Sequence, residues 1–151
     1  MSQTTQAFRT VEISSTNLIR GLVGPAQAAG RFELFEYTMA PGAPGPQPHF
    51  HARTDETFAI LEGRGRFMVD GVWHEYGPGE VVHVPKGTAH AFANAGREPL
   101  KMLVTMTPAI GFLDYFEHLA ELIRANAWPA SPEVQAELWA RFDTQPAEEH
   151  R

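Results

Sequence analysis

Glycine and proline interrupt this sequence at short intervals and divide most of it into short apolar runs. The 151 residues include 13 glycines and 12 prolines. Both residue types end regular structure, glycine by its freedom at positive φ and proline by its missing donor, and runs this short suit strands better than helices. The spacing therefore predicts an all-β domain between residues 18 and 107.

The predicted strands follow from apolar runs bounded by turn residues. Their ranges are Leu18–Val23, Arg31–Met39, Gln47–Ala52, Glu56–Leu61, Arg66–Asp70, Val72–Tyr76, Glu80–Val84, Ala89–Ala93 and Leu100–Thr107. Asp70-Gly71 is a two-residue hairpin signal because glycine tolerates positive φ. The stretch from Pro41 to Pro48 is rich in proline and glycine, so we expect a loop that leads into the strand at Gln47.

The apolar spacing becomes helical after Pro108. One helix is predicted from the positions Phe112, Leu113, Phe116, Leu119, Ala120 and Ile123. A second begins at Ser131-Pro132, with serine as cap and proline at the first helical position. Its expected apolar stripe is Val134, Leu138 and Phe142.

We expect these helices to pack on the outer sheet of a β-barrel; the alternatives are that they cap a barrel mouth or form a dimer face. The polar tail from Thr144 to Arg151 is expected to be frayed. No linker divides the chain, so we expect one domain with three parts. Residues 1–30 form an arm and a strand, 31–107 the barrel core, and 108–151 a helical extension.

Composition excludes several classes of protein and site. There are no cysteines, which excludes disulfides, thiolate metal sites and cysteine nucleophiles. The net charge is −6 and the basic residues are scattered, so neither nucleic acid nor an anionic membrane surface is an expected partner. No apolar run reaches the ~18 residues of a membrane span. Met1–Ala7 lacks the features of a signal peptide, so a cytoplasmic location is expected.

Four residues with metal-binding side chains stand at regular spacings. His49, His51 and Glu56 belong to the run H-x-H-x4-E-x6-G, and His90 belongs to G-x5-P-x-G-x2-H-x3-N. Side chains two apart on a strand share a face, so His49 and His51 can offer two imidazoles to one ion. Glu56 and His90 can complete the site from neighbouring strands. A lone histidine in a strand is usually structural, and it is the full set that predicts a metal.

The two motifs together resemble the signature of the cupin superfamily. The second matches at Gly79, Pro85, Gly87, His90 and Asn94, and the first matches from His49 to Gly63. The opening glycine of the first motif departs, because Gly42 is one position too far from His49 and Gly45 is too near. The resemblance covers roughly Arg31 to Thr107. Small single-domain bacterial cupins described as quercetin-dioxygenase-like are the most similar in arrangement.

The resemblance implies a jelly-roll barrel, a double-stranded β-helix, that holds one divalent transition metal on His49, His51, Glu56 and His90. Fe(II) is the favoured metal, with Mn(II), Ni(II) and Zn(II) as alternatives. Glu56 is the candidate catalytic base, since it is the ligand that could detach and accept a substrate proton. A homodimer is expected because cupins commonly pair.

Strand alternation also predicts residues that face a substrate. They are Gln47, Phe58, Ile60, Thr88 and Phe92, with Met102, Val104 and Met106 on the far wall. This lining suits an apolar or aromatic small molecule, and ordinary core packing would explain the same pattern. Among the other histidines, His83 could face the interior or pack in the wall. His74, His118 and His150 are expected to be exposed.

Three functions remain open at this point. The first is a metal-dependent dioxygenase that acts on a small aromatic or enol-bearing molecule. The second is a metal-dependent isomerase, lyase or cyclase that needs no O2, with the ion as a Lewis acid. The third is a cupin that binds a small ligand without catalysis. In all three the partner is a small molecule.

Overall fold

Two antiparallel sheets form the body of the protein. The computed structural model describes residues 9–148, so the predictions for Met1–Ala7 and His150 lie outside the described part. The strands are β1 Thr10–Ser14, β2 Asn17–Val23, β3 Glu33–Met39, β4 His49–Phe50, β5 Asp55–Glu62, β6 Gly65–Val69, β7 Val72–Tyr76, β8 Val81–Val84, β9 His90–Ala93, β10 Leu100–Thr107 and β11 Gln145–Pro146. The helices are α1 Phe112–Arg124 and α2 Pro132–Arg141.

The sheets are a six-stranded one, in the order β1-β2-β3-β10-β5-β8, and a five-stranded one, in the order β11-β4-β9-β6-β7. Strand neighbours far apart in sequence give the jelly-roll arrangement, and the all-β jelly-roll prediction is confirmed. Alternate residues are buried along β3 and β10. In register, Val104 of β10 stands between Phe35 of β3 and Phe58 of β5, and all three are buried. The core therefore lies between the two sheets.

All nine predicted strands agree with the structure to within two residues at each end. The prediction at Gln47–Ala52 is too long by two residues at both ends, because the strand there is His49–Phe50. Two strands were missed. β1 turns into β2 through a pair of residues without glycine or proline, and β11 contains a proline, which a sheet accepts at its edge.

Both helices begin as predicted, and a buried carboxylate explains the start of α1. Gly111 at its N-cap offers no side chain, and Glu33 of β3 supplies the acceptor instead. The backbone N–H groups of Ile110 and Phe112 donate to the Glu33 carboxylate at 3.2 and 3.1 Å. In α2, the side chain of Ser131 accepts from the backbone N–H of Val134 at 3.4 Å.

The expected packing of the helices on the outer sheet was wrong. Phe116 of α1 packs on Phe35 and Tyr37, which are inward-facing residues of β3, with ring centroids 5.7 and 6.0 Å apart. The aromatic stripe of α1 thus finds an aromatic surface inside the fold. Of the predicted stripe of α2, Leu138 and Phe142 are buried, whereas Val134 is 45% exposed. Trp139, which lies outside that stripe, is 5% exposed.

The predicted fraying of the tail was also wrong where the structure describes it. Thr144 is 4% exposed, and β11 pairs with β4 through Gln145 opposite Phe50 and Pro146 opposite His49. One polar group of this segment, the hydroxyl of Thr144, bonds to the site described below. Neither helix within residues 9–148 has the length and apolar character needed to cross a membrane.

Candidate metal centre and cavity

The fold brings the four predicted ligands together. His49 stands opposite His90 in the β4–β9 pair, His51 follows β4 directly, and Glu56 lies on β5 of the other sheet. Each offers a ligand atom within 4.8 Å of the others, and all four residues are buried. Donor atoms on one ion, each ~2.1 Å from it, are roughly 3 to 4 Å apart. The cluster is therefore of the size that one metal ion needs.

Each imidazole is held by a backbone carbonyl on its Nδ1 side. His49 Nδ1 lies 2.8 Å from the Gln47 carbonyl, His90 Nδ1 lies 3.0 Å from the Thr88 carbonyl, and His51 Nδ1 lies 3.0 Å from the Asp143 carbonyl. A carbonyl can only accept, so Nδ1 carries the hydrogen in each ring. The Nε2 atoms are left with lone pairs for a metal, as in metal-binding histidines generally.

The carboxylate of Glu56 meets two of these lone pairs. Its Oε2 lies 3.0 Å from His51 Nε2 and 2.9 Å from His90 Nε2. Because Nδ1 carries the hydrogen in each ring, the carboxylate oxygen and the two Nε2 atoms are all hydrogen-bond acceptors. Acceptors this close together need a cation between them, which is either an added proton on a ring or a metal ion. Three imidazole nitrogens and one carboxylate oxygen suit a divalent transition metal of the first row. The residues present therefore fit the metal that the sequence motifs imply.

The electrostatics of the cluster keep His49 neutral and Glu56 ionised at neutral pH, while a proton on His51 competes with a metal ion. Burial, with the neighbouring His90 and His51, lowers the pKa of His49 to about 3, so this ring is neutral. Burial alone would raise the pKa of Glu56, but its hydrogen bonds with His51 and His90 outweigh burial and hold the pKa below its ordinary value. Burial opposes a charge on His51, yet the bond to Glu56 gives a raised pKa.

The segment after α2 completes the environment of His51. Besides the Asp143 carbonyl, Thr144 Oγ1 lies 3.3 Å from His51 Nδ1. The Asp143 carboxylate accepts the backbone N–H groups of Ala52 and Arg53 at 3.2 and 2.9 Å. His49 and His90 take their carbonyl partners from two residues earlier in the chain, whereas His51 depends on a residue 92 positions away. Sequence analysis missed Asp143 and Thr144 because no local pattern marks so distant a contact.

A cavity of about 400 Å³ extends from the metal cluster, with His49 and Glu56 among its lining residues. Its walls come from the barrel, from the loop before β4 and from both helices. Aromatic side chains make up much of its surface: Phe35, Tyr37, Phe92, Phe112, Tyr115, Phe116, Trp128 and Trp139. The volume is within the range of small-molecule sites. The helices thus wall the cavity, which is a role that the sequence left open.

Two of the predicted substrate-facing residues line this cavity, namely Gln47 and Phe92. Phe58 and Ile60 face inward as alternation predicted, but their positions are in the packed core. The Phe58 ring packs on Phe67 and Phe92 with centroids 5.2 and 5.1 Å away. Thr88 lies in the turn before β9, where its carbonyl accepts from His90. Phe58, Ile60 and Thr88 are therefore not placed at the cavity. The predicted far wall (Met102, Val104 and Met106) is likewise fully buried core.

The other described histidines lie away from the cluster. His83 is exposed and its Nδ1 lies 2.8 Å from Thr57 Oγ1, so it is on the outer face of the wall. His74 is exposed, and His118 is half-buried on α1 with its ring centroid 6.3 Å from that of Phe142.

Comparison with known proteins adds a family and several relatives. Residues 35–106 match the family model for the cupin domain. An uncharacterised protein of Methanocaldococcus jannaschii, MJ1618, is 30% identical over 92 residues, which are 61% of this chain and 74% of that protein. Quercetin 2,3-dioxygenase of Bacillus subtilis is 30% identical over 95 residues, which are 63% of this chain. The match covers 26% of the dioxygenase's own length.

Among solved structures, the polyketide cyclase RemF from Streptomyces resistomycificus is similar in fold and sequence. The TM-score is 0.57 and the identity is 26%, and the match covers 72% of this chain and 78% of the cyclase. The similarity therefore extends over most of both chains.

Proposed function

Because the chain belongs to the cupin family, we propose that it is a metal-dependent dioxygenase that acts on a small aromatic or enol-bearing molecule. The observation that carries the proposal is the position of His49 and Glu56 at one end of an aromatic-walled cavity of about 400 Å³. The sequence similarity to quercetin 2,3-dioxygenase supports the choice of reaction. A small cavity that joins donor atoms to aromatic walls suits a substrate with an oxygen at the edge of a ring.

In this proposal His49, His51, Glu56 and His90 hold one divalent metal, with Fe(II) favoured over Mn(II), Ni(II) and Zn(II). When bound, the ion supplies Lewis-acid polarisation of a substrate oxygen and, if it is redox-active, electron exchange with O2. The carbonyls bonded to the three Nδ1 atoms keep the rings in the ligating tautomer. The aromatic walls exclude water and orient a flat substrate with its oxygen toward Glu56.

Glu56 has a second part in the proposal, as the acceptor of a proton from the substrate hydroxyl. It lines the cavity, and it is the one ligand of the four that could leave the ion and accept a proton. A group that accepts a proton must lie within hydrogen-bond reach of the oxygen that gives it up, and Glu56 lies at the end of the cavity where such an oxygen would bind.

A second candidate is an O2-independent cyclase, isomerase or lyase that uses the same residues. It is favoured by the similarity to the polyketide cyclase, which covers most of both chains. The same ion would then act by polarising a substrate carbonyl. Binding of a small ligand without turnover is the third candidate.

The test begins with the metal content of protein purified without a chelating column, followed by O2 uptake of the Fe(II)-loaded protein. The substrates are a panel of flavonols, diketones and catechols. His90→Ala removes a ligand, and His83→Ala is the matched control because His83 is exposed on the outer face of the wall. Uptake that is lost in His90→Ala and kept in His83→Ala supports the dioxygenase. Turnover without O2 supports the second candidate, and no turnover by a fully loaded protein supports the third.

A homodimer and a cytoplasmic location complete the proposal. The homodimer is proposed because cupins commonly form dimers, and light scattering on the purified protein measures the molecular mass directly.

A further inference from the structure

The cavity lining carries very little charge. Among the described residues that line it, Glu56 is the one carboxylate, and none is Lys or Arg. Glu56 lies at the metal end, so the remainder of the described lining is uncharged. With a divalent ion bound, positive charge would also be confined to that end.

The two tyrosine hydroxyls on the walls are neutral and already paired. The Tyr37 hydroxyl donates to Asn17 Oδ1 at 3.2 Å, and the Tyr115 hydroxyl accepts from Trp139 Nε1 at 3.2 Å. Burial raises the pKa of both tyrosines, so both stay protonated. Neither hydroxyl can offer a bound anion a positive charge.

Two uncharged amides line the part of the cavity that reaches solvent. Gln47 is exposed and Gln135 is half-buried, and Gln135 Nε2 lies 3.5 Å from Gln47 Oε1. Two amides can hydrogen-bond to a neutral hydroxyl or carbonyl. A phosphate, sulfate or carboxylate enclosed by the cavity walls would lose water without gaining a cation, and such burial of an unpaired charge is unfavourable.

We propose that this cavity selects a flat, uncharged ring system with one ionisable oxygen directed to the metal end, and that it excludes molecules with a second, anionic group elsewhere in the cavity. Phenols, enols and neutral polyketide-like rings belong to the accepted class, and sugar phosphates and acidic sugars belong to the excluded class. The inference rests on the proposed function in so far as the same cavity is taken as the substrate site.

The test is calorimetric binding to Zn(II)-loaded protein, because zinc is redox-inert and binding is then observed without turnover. The matched probes are naphthalene-2,6-diol and 6-hydroxynaphthalene-2-sulfonate, which share a ring and a hydroxyl and differ in the far group. We expect the diol to bind roughly tenfold or more tightly than the sulfonate, since the sulfonate meets no cation. Glucose 6-phosphate is expected not to compete with the diol.

A charge introduced on α2 makes the test specific to the cavity. Gln135→Arg places a cation in the cavity lining, and we expect it to reduce the preference for the diol by roughly tenfold. Gln135→Met, of similar length and without charge, should keep the preference of the parent protein. If Gln135→Arg strengthens sulfonate binding and Gln135→Met does not, the weak binding of anions to the parent protein is due to the lack of a cation in the cavity.

The outcomes separate this inference from the proposed function. Equal binding of the two probes, or binding of neither, overturns the inference whatever the protein catalyses. Selective binding of the diol, together with no O2 uptake on any substrate of the panel, leaves the inference standing and overturns the dioxygenase proposal.

Discussion

Asp143 joins the end of α2 to the metal centre, and its substitution should weaken metal binding. The carboxylate fixes the backbone at Ala52 and Arg53, and the carbonyl of the same residue holds His51 Nδ1. Asp143→Ala removes the carboxylate and so releases the segment that positions the carbonyl. Partners that orient a metal-binding histidine typically contribute 10–100-fold to metal affinity. We expect a loss of about that size for Zn(II).

The same substitution should destabilise the metal-free protein by an amount that the structure bounds. Asp143 is 7% exposed, and a hydrogen bond to a charged group contributes about 1.5 to 3 kcal/mol. Ala52 and Arg53 are exposed, so water can reach their N–H groups and the pair together should contribute about 2 kcal/mol. Alanine at the φ of 47° found here adds ~1 kcal/mol. The expected loss is therefore about 3 kcal/mol.

The assays are a competition titration with a zinc chelator and urea unfolding of the metal-free protein. Asp143→Asn should lose less stability and less zinc affinity than Asp143→Ala, because one acceptor oxygen remains and asparagine tolerates positive φ. The matched control is Glu80→Ala, which removes a carboxylate that accepts the Gly77 N–H at 2.5 Å in a turn remote from the cluster. The control should lose stability and keep its zinc affinity. An Asp143→Ala variant that is destabilised but binds zinc like the parent would refute a positioning role.

Three other predictions follow from the same geometry. Metal affinity should rise with pH, because the ion displaces a proton from His51, whose pKa is raised by Glu56 against the opposing effect of burial. Titrations from pH 5.5 to 8 check this, and a flat profile would contradict the ligand assignment. His90→Ala should lose most bound metal and keep the circular dichroism of the fold, and retained metal would exclude His90 as a ligand. Gly45→Ala should unfold or strongly destabilise the protein, because an added Cβ would lie 1.7 Å from the Phe92 carbonyl oxygen; a melting temperature equal to the parent's would show that the loop can move away.

The barrel was predictable because its determinants are local. Turn residues bound the strands, and alternation identifies the buried face of β3 and β10 correctly. The ligand cluster was predictable for a related reason, since strand parity places His49 and His51 on one face and the pairing of β4 with β9 then adds His90. Gly45 lies nearer to His49 than the opening glycine of the motif does, and the structure requires a glycine at this position. The loop runs so close to β9 that Gly45 has no room for a side chain.

The cavity was not predictable from alternation, because alternation gives the face of a residue and not its depth in the barrel. Phe58 and Phe92 both face inward, yet Phe58 packs among core rings while Phe92 also lines the cavity. The larger part of the aromatic wall comes from residues after Pro108. Their placement depends on how the helices meet β3, and helical periodicity does not specify which surface an apolar stripe covers.

One short stretch of chain connects the two halves of the site. Trp139 of α2 lines the cavity, and its ring centroid lies 6.1 Å from that of His49. Four residues later the Asp143 carbonyl holds His51, and β11 then pairs with β4 beside His49. Because the cavity wall and the support of His51 belong to one continuous segment, a displacement of α2 would disturb both together. The family resemblance covers the barrel, but the barrel alone supplies neither the Trp139 side of the cavity nor the carbonyl that holds His51.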